Sequence, residues 1–300
     1  MYELDKFIEN GFCQLGKILD VAECQKLIEG IQGSRDFSSS LFLSEEDYRA
    51  NPTHKGVNPI DGRNLIEKFN VDFIEKNPVF VSSLEKTLGK GYNVFNKKFV
   101  VGVPETWMPE WLLKETENLA VANMGAYIKP EYRDITYFHG IDFHQDIIDH
   151  KNRLSDFVTL YVYLEDTDEN TSPLYVIPRS HKFGATTFPH DITYKAGKKL
   201  EYSDRKGHQD EFENLMLTSP GGTVYFWHAC TLHGTKPHID SKPRISVRYL
   251  IEKDPTVHDS LIDKLNDTII GDLALETTRV DLNEKGEATV RQNIINAEGK

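Results

Sequence analysis

Tyr137-Phe138-His139-Gly140-Ile141-Asp142-Phe143-His144-Gln145-Asp146 alternates in the manner of a β-strand. Residues i and i+2 of a strand face the same way. The His144 imidazole and the Asp146 carboxylate are therefore expected on one side. One further histidine from elsewhere in the fold would put two imidazoles and a carboxylate around a metal. That facial set leaves other coordination positions open, as non-heme Fe(II) oxygen chemistry requires. A His-x-Asp tripeptide also arises by chance, so its weight depends on what surrounds it.

Outward from this stretch, segments rich in β-branched and aromatic residues and bounded by turn residues predict more strands. They are Phe99–Val103, Leu119–Ile128, Ile135–Phe143, Phe157–Leu164, Leu174–Ile177, Thr223–Trp227 and Ile245–Ile251. Before them, Val21, Cys24, Leu27 and Ile28 have helical spacing behind Asp20, a candidate N-cap. Pro78–Leu88 predicts another helix, stopped by Gly89 and Gly91. The fold class expected is mainly β with flanking helices, a jelly roll of the double-stranded β-helix, cupin-like kind. One domain spanning 1–300 is expected, with a largely helical cover (1–95), a jelly-roll core (96–252) and an extension (253–300) holding a helix over Asp259–Leu265 and a hairpin around 283–286. That extension is read either as a cover for the barrel mouth or as support for a homodimer.

Two strands carry further information. In Phe157–Leu164 the even positions are aliphatic, suited to packing under helices, and the odd ones are Phe, Thr, Tyr and Tyr, suited to a barrel interior. In Arg244–Ile251 the apolar residues occupy one face, which directs Arg244 and Arg248 inward. An inward arginine is costly without an anion, and a guanidinium binds a carboxylate bidentately. Arg248, nearer the strand end, is expected to reach solvent, with a second anion contact as the alternative. Three histidines, His228, His233 and His238, are candidates for the distal metal ligand.

Taken together, His144-Gln145-Asp146, Asn170-Thr171-Ser172-Pro173-Leu174 with Pro178-Arg179-Ser180-His181, His233-Gly234-Thr235 and Arg244 resemble the phytanoyl-CoA dioxygenase family of Fe(II)- and 2-oxoglutarate-dependent oxygenases. Phe7-Ile8-Glu9-Asn10-Gly11-Phe12 resembles that family's entry, and the likeness runs over roughly residues 5–252. Ser172 and Arg179 stand where glycine is usual. In the family an arginine follows the distal histidine by eleven positions, and here 244 − 233 = 11. The resemblance thus implies His144, Asp146 and His233 as metal ligands and catalytic centre, leaving His228 and His238 as packed or surface rings. It implies Arg244 and Thr235 as the 2-oxoglutarate anchor, and Tyr161 or Thr159, Tyr161 in preference, as a further cosubstrate contact. Fe(II), 2-oxoglutarate and O2 would be required, succinate and CO2 released, and a C–H bond of a small polar metabolite or biosynthetic intermediate hydroxylated. A carboxylate at Asp146 argues against halogenation, which needs that position vacated. A cupin-like binding protein without catalysis is the alternative, and a zinc hydrolase on the same ligands a weaker one.

The remaining residues set bounds. A net charge of −12 opposes general nucleic-acid binding, which needs a basic footprint, but leaves a small anionic substrate open, since a cleft's field can oppose the global sign. Cys13, Cys24 and Cys230 lack metal or disulfide spacing and suit a reducing compartment. The start lacks a signal-peptide pattern, and no apolar run is long enough for a membrane, so a cytoplasmic enzyme is expected. Gly184–Phe212, with Lys195, Lys198, Lys199 and Tyr202, is read as a long loop, either a candidate lid over the metal or a plain surface excursion. His150, His181, His190 and His208 are read as solvated loop residues, His139 and Asp142 as structural. Asp142 could also orient His144 through its second ring nitrogen.

Overall fold

A computed structural model describes residues 3–53, 57–195, 199–239 and 241–297. Its strands are β1 Phe12–Lys17, β2 Asn93–Gly102, β3 Val121–Asn123, β4 Thr136–His144, β5 Phe157–Tyr163, β6 Leu174–Val176, β7 Asp191–Tyr194, β8 Leu200–Ser203, β9 Gln209–Phe212, β10 Leu215–Leu217, β11 Thr223–His228, β12 His233–Thr235 and β13 Arg244–Glu252. Ten of them form one mixed sheet in the order β1-β11-β5-β13-β2-β4-β12-β6-β10, with β3 on β4. The sheet curls into the expected half-barrel, mostly β with a few helices.

The curl follows from a two-faced sheet. Val158, Leu160 and Val162 of β5, with Val247, Tyr249 and Ile251 of β13, turn outward into a core shared with Leu27, Ile31, Phe80 and Leu84 of the covering helices. Those helices are Val21–Gln32, whose Asp20 side chain accepts the Ala22 and Glu23 amides, and Pro78–Leu88, capped by Asn77. The opposite face carries Val100, Tyr161, Tyr163, Tyr225 and Trp227 inward. Burial of both faces explains why β5 has no exposed position.

Two expectations are corrected here. Leu119–Ile128 is not one strand: β3 ends at Asn123, whose side chain accepts the Gly125 amide at 2.9 Å and starts a 3-10 turn over Met124–Tyr127. Gly184–Phe212 is not a loop. Its strands β7, β8 and β9 form a separate antiparallel sheet, and Ile192, Leu200, Tyr202 and Phe212 pack with Phe143, Ile177 and Phe183. Lys198 lies outside the described residues.

The C-terminal extension has its helix at Leu261–Asn266 with a Ser260–Asp263 capping box. The hairpin is reduced to a single bridge between Leu282 and Ala288. Its end is tied down by Asp142, whose carboxylate accepts the amides of Ile294 (2.8 Å), Ile295 (3.0 Å) and Phe143 (2.8 Å). Asp142→Ala leaves these buried donors without their acceptor, at a cost of about 1–3 kcal/mol. A lowered melting temperature and faster proteolysis after residue 290 are expected; unchanged cleavage would show that other contacts hold the tail.

Candidate functional site

Strand pairing brings the distant ligands together. In the β12·β4 ladder His233 lies directly opposite His144, where side chains of an antiparallel pair meet, and the ring centroids are 4.2 Å apart. β4 ends at His144, but Gln145 stays extended (φ −103°, ψ 144°) before the 3-10 turn Asp146–Asp149. The alternation therefore persists one step beyond the strand and returns Asp146 to the side of His144. Gln145 points the other way, fully buried, donating to the carbonyls of Gly184 and Cys230 (both 2.8 Å) and accepting from the Thr186 amide (2.9 Å). This clamp fixes the turn that carries Asp146. Ligand atoms of His144, Asp146 and His233 all lie within 4.8 Å of one another.

Each imidazole is oriented from behind. His144 Nδ1 meets the Asp142 carbonyl at 2.9 Å and His233 Nδ1 the Thr231 carbonyl at 3.0 Å. With Nδ1 donating, Nε2 is left as the lone-pair donor a metal needs. Asp142 thus serves His144 through its backbone, while its carboxylate serves the C-terminal segment. Burial lowers the pKa of both rings, that of His233 to about 3, which keeps them neutral and ready to ligate. Burial alone would raise the Asp146 pKa, but the Arg248 guanidinium, helped by the Thr159 hydrogen bond, outweighs it and holds the carboxylate ionised, well below its usual range.

Asp146 has more partners than its sequence context suggests. Oδ2 accepts from Thr159 Oγ1 and from Trp227 Nε1 (2.9 Å), and Oδ1 accepts from Arg248 Nη2. Thr159 and Trp227 face one another in the β5·β11 register, so one carboxylate is reached from two neighbouring strands. Arg248 is a correction: it turns into the barrel and pairs with Asp146 rather than with solvent. The reason is register, since Arg248 lies between Lys98 of β2 and Tyr161 of β5, both inward-facing.

Arg244 is 3% exposed. Its Nη1 donates to the Ser172 carbonyl and Nη2 to Tyr161 Oη at 3.1 Å, while Nε has no partner among the described residues. Thr235 and Tyr161 line the same cavity. A buried guanidinium with a donor to spare beside an imidazole–carboxylate cluster fits an anionic ligand that also reaches the metal. Thr159, the alternative cosubstrate contact, donates to Asp146 and supports it.

The cavity has a volume of about 150 Å³, and its lining joins His144, Asp146 and His233 to Arg244, Lys98 and Arg279. None of the described residues of 184–212 lines it, whereas Arg279 of the C-terminal extension does. Lys98 and Arg279 escaped sequence reading. Lys98 occupies the inward face of β2, a signal available only once β2 is seen to extend back to Asn93.

Other histidines take structural places. His228 Nε2 meets the Ser155 carbonyl at 2.7 Å, and His238 is buried beside Pro104. His181 and His190 are buried, not solvated: the first meets the Ile8 carbonyl at 3.2 Å, the second Thr186 Oγ1 at 2.8 Å. His150 stacks edge-on to Phe95 and Phe157, and only His208 among these four is exposed. All three cysteines are buried thiols. No helix among the described residues is long and apolar enough to cross a membrane.

Comparison with known proteins agrees with this geometry. A curated relative, a probable alpha-ketoglutarate-dependent hypophosphite dioxygenase of Stutzerimonas stutzeri, is 31% identical over 98 residues, 33% of this chain and 34% of the relative. The match thus spans about a third of that protein. Among solved structures, the epimerase SnoN in complex with Fe3+, alpha ketoglutarate and nogalamycin RO superposes with a TM-score of 0.50 at 12% identity, over 86% of this chain and 91% of the other. EvdO2 from Micromonospora carbonacea var. aurantiaca gives 0.50 at 14% identity, over 86% and 92%. At such identities the likeness establishes the fold. The family model described as Phytanoyl-CoA dioxygenase (PhyH) matches residues 7–246, and the chain belongs to the phytanoyl-CoA dioxygenase family of iron- and 2-oxoglutarate-dependent oxygenases.

Proposed function

We propose that the protein is an Fe(II)- and 2-oxoglutarate-dependent dioxygenase that hydroxylates a C–H bond of a small polar metabolite or biosynthetic intermediate. The observation that carries this reading is the meeting of His144, Asp146 and His233 in one cavity with a buried Arg244. A simple metal-binding barrel has no use for that arginine.

The donor set fits the metal. Two neutral imidazoles and one ionised carboxylate are hard-to-borderline ligands suited to ferrous iron and leave coordination positions for other groups. His144 and His233 would bind through Nε2, and Asp146 through its carboxylate. Arg244, with Tyr161 Oη and Thr235 beside it, would hold the far carboxylate of 2-oxoglutarate. When bound, iron and 2-oxoglutarate supply the activation of O2, with succinate and CO2 as co-products and one oxygen atom passed to the substrate. The chain's own residues do the rest. The carbonyls of Asp142 and Thr231 keep the rings aimed, Thr159 and Trp227 steady Asp146, and the buried strands β5, β11 and β13 exclude water.

The test is succinate formation by the purified protein on a panel of small metabolites. Release that requires Fe(II), 2-oxoglutarate and O2, rises with one substrate and vanishes with Zn(II) is expected. Hydrolysis supported by Zn(II) without succinate would replace this reading with a metallohydrolase.

A further inference from the structure

We infer that Lys98, with Arg248 and Arg279 beside it, forms an anion-binding subsite that recognises the substrate by a negatively charged head group. The inference rests on the proposed function and narrows it to small organic anions.

The ammonium of Lys98 is the telling group. Lys98 is 8% exposed and lines the cavity, and among the described residues its ammonium forms no hydrogen bond or ion pair. A lysine so placed carries a desolvation cost that Asp149 and Asp146 offset only in part. Burial and the adjacent Arg248 push its pKa down to about 7, with Asp149 and Asp146 opposing. A bound anion would restore the charged form. The neighbouring cations are already engaged: Arg248 with Asp146, Arg279 with Asp281 (2.6 Å) and Asp149 (3.2 Å). Of Lys98, Arg248 and Arg279, Lys98 is therefore the one whose charged end is unengaged among the described residues.

A charge count agrees. With Lys98 protonated, the lining contains four cations, Lys98, Arg244, Arg248 and Arg279, and two carboxylates, Asp146 and Asp149, so 4 − 2 leaves +2. Asp281, behind Arg279, reduces this to +1. Ferrous iron and the dianion of 2-oxoglutarate cancel each other and leave the excess in place. The chain as a whole carries −12, so this local positive excess runs against its overall sign, as in clefts that focus a field on an anionic ligand.

Position gives the subsite its role. Lys98 is directly opposite Arg248 across β2·β13, and Arg248 touches Asp146. Arg244, the 2-oxoglutarate anchor, lies four residues along β13 from Arg248, opposite Gly102. The two anion sites are thus at different levels of the same barrel. Val100, Val121, Phe138 and Ile141 line the cavity as its apolar part. A head group held at Lys98 leaves a short aliphatic segment against these residues and beside the metal ligands.

The test uses anaerobic holoenzyme loaded with Fe(II) and saturating 2-oxoglutarate, so that Arg244 is occupied. Propionate, methylphosphonate, propionamide and propylammonium are titrated by calorimetry. One or both anions are expected to bind and the neutral and cationic probes not to, with the tighter anion telling a carboxylate from a phosphonate head group. Lys98→Gln should weaken the anion tenfold or more without changing iron or 2-oxoglutarate affinity, and Lys98→Arg should restore most of it. Equal binding of propionamide, no binding of either anion, or an indifferent Lys98→Gln overturns the subsite. Holoenzyme that fails to bind iron or 2-oxoglutarate would instead overturn the proposed function, and the subsite with it.

Discussion

Asp146→Ala is expected to abolish Fe(II)- and 2-oxoglutarate-dependent turnover and to weaken iron binding by more than the ~10–100-fold that loss of an outer partner costs. Asp146 is the sole anionic member of the three-residue cluster, and several groups converge on it. Removing it strands the Arg248 guanidinium, the Trp227 N–H and the Thr159 hydroxyl. Stability should fall as well, because an uncompensated buried charge costs about 3–5 kcal/mol. Asp146→Asn separates the two effects. It keeps an acceptor for Trp227 and the shape of the turn, yet gives up the charge that attracts iron. Metal titration and succinate release on both variants check the ligand assignment. If the Asp146→Asn protein binds iron as tightly as the parent and turns over normally, Asp146 is not a ligand of the metal.

Arg244→Ala is expected to raise the 2-oxoglutarate requirement by about 30- to 5,000-fold, the equivalent of the 2–5 kcal/mol that truncation of one member of a buried charge pair costs at about 1.36 kcal/mol per tenfold. The guanidinium is buried, held by Ser172 and Tyr161, and its Nε has no partner among the described residues. Its loss should act on cosubstrate binding, so turnover at saturating 2-oxoglutarate should recover in large part. Arg244→Lys should recover little, since a point charge on a flexible stem replaces a planar fork. Titration of 2-oxoglutarate against initial rate decides this; an unchanged half-saturation point in Arg244→Ala would sink the anchor.

Several features of fold and site were legible because they are local. Asp20 and Asn77 begin helices where an oxygen-bearing side chain meets the first free amides. The alternation of Phe157–Leu164 sorts its residues between the outer and inner faces that the structure shows. The stretch 184–212 misled because its strands are short and polar on one side, so length alone suggested a loop. His181 and His190 misled for a similar reason: they lie in turns, but turns folded inward against the sheet.

The amino-acid order alone determined which residue types could make the site: a His-Gln-Asp at the end of a strand, a distal histidine, and an arginine eleven residues beyond it. These are short-range spacings, and strand geometry turns them into shared faces without knowledge of the rest of the chain. Only the tertiary structure decided that Arg248 meets Asp146, that the Lys98 ammonium has no partner among the described residues, and that Arg279 lines the cavity. Those contacts depend on how β13 registers between β2 and β5 and on where the C-terminal segment docks. A slip of one residue in such a register would turn every side chain to the opposite face, and the burial energy that forbids the slip is summed over the whole barrel.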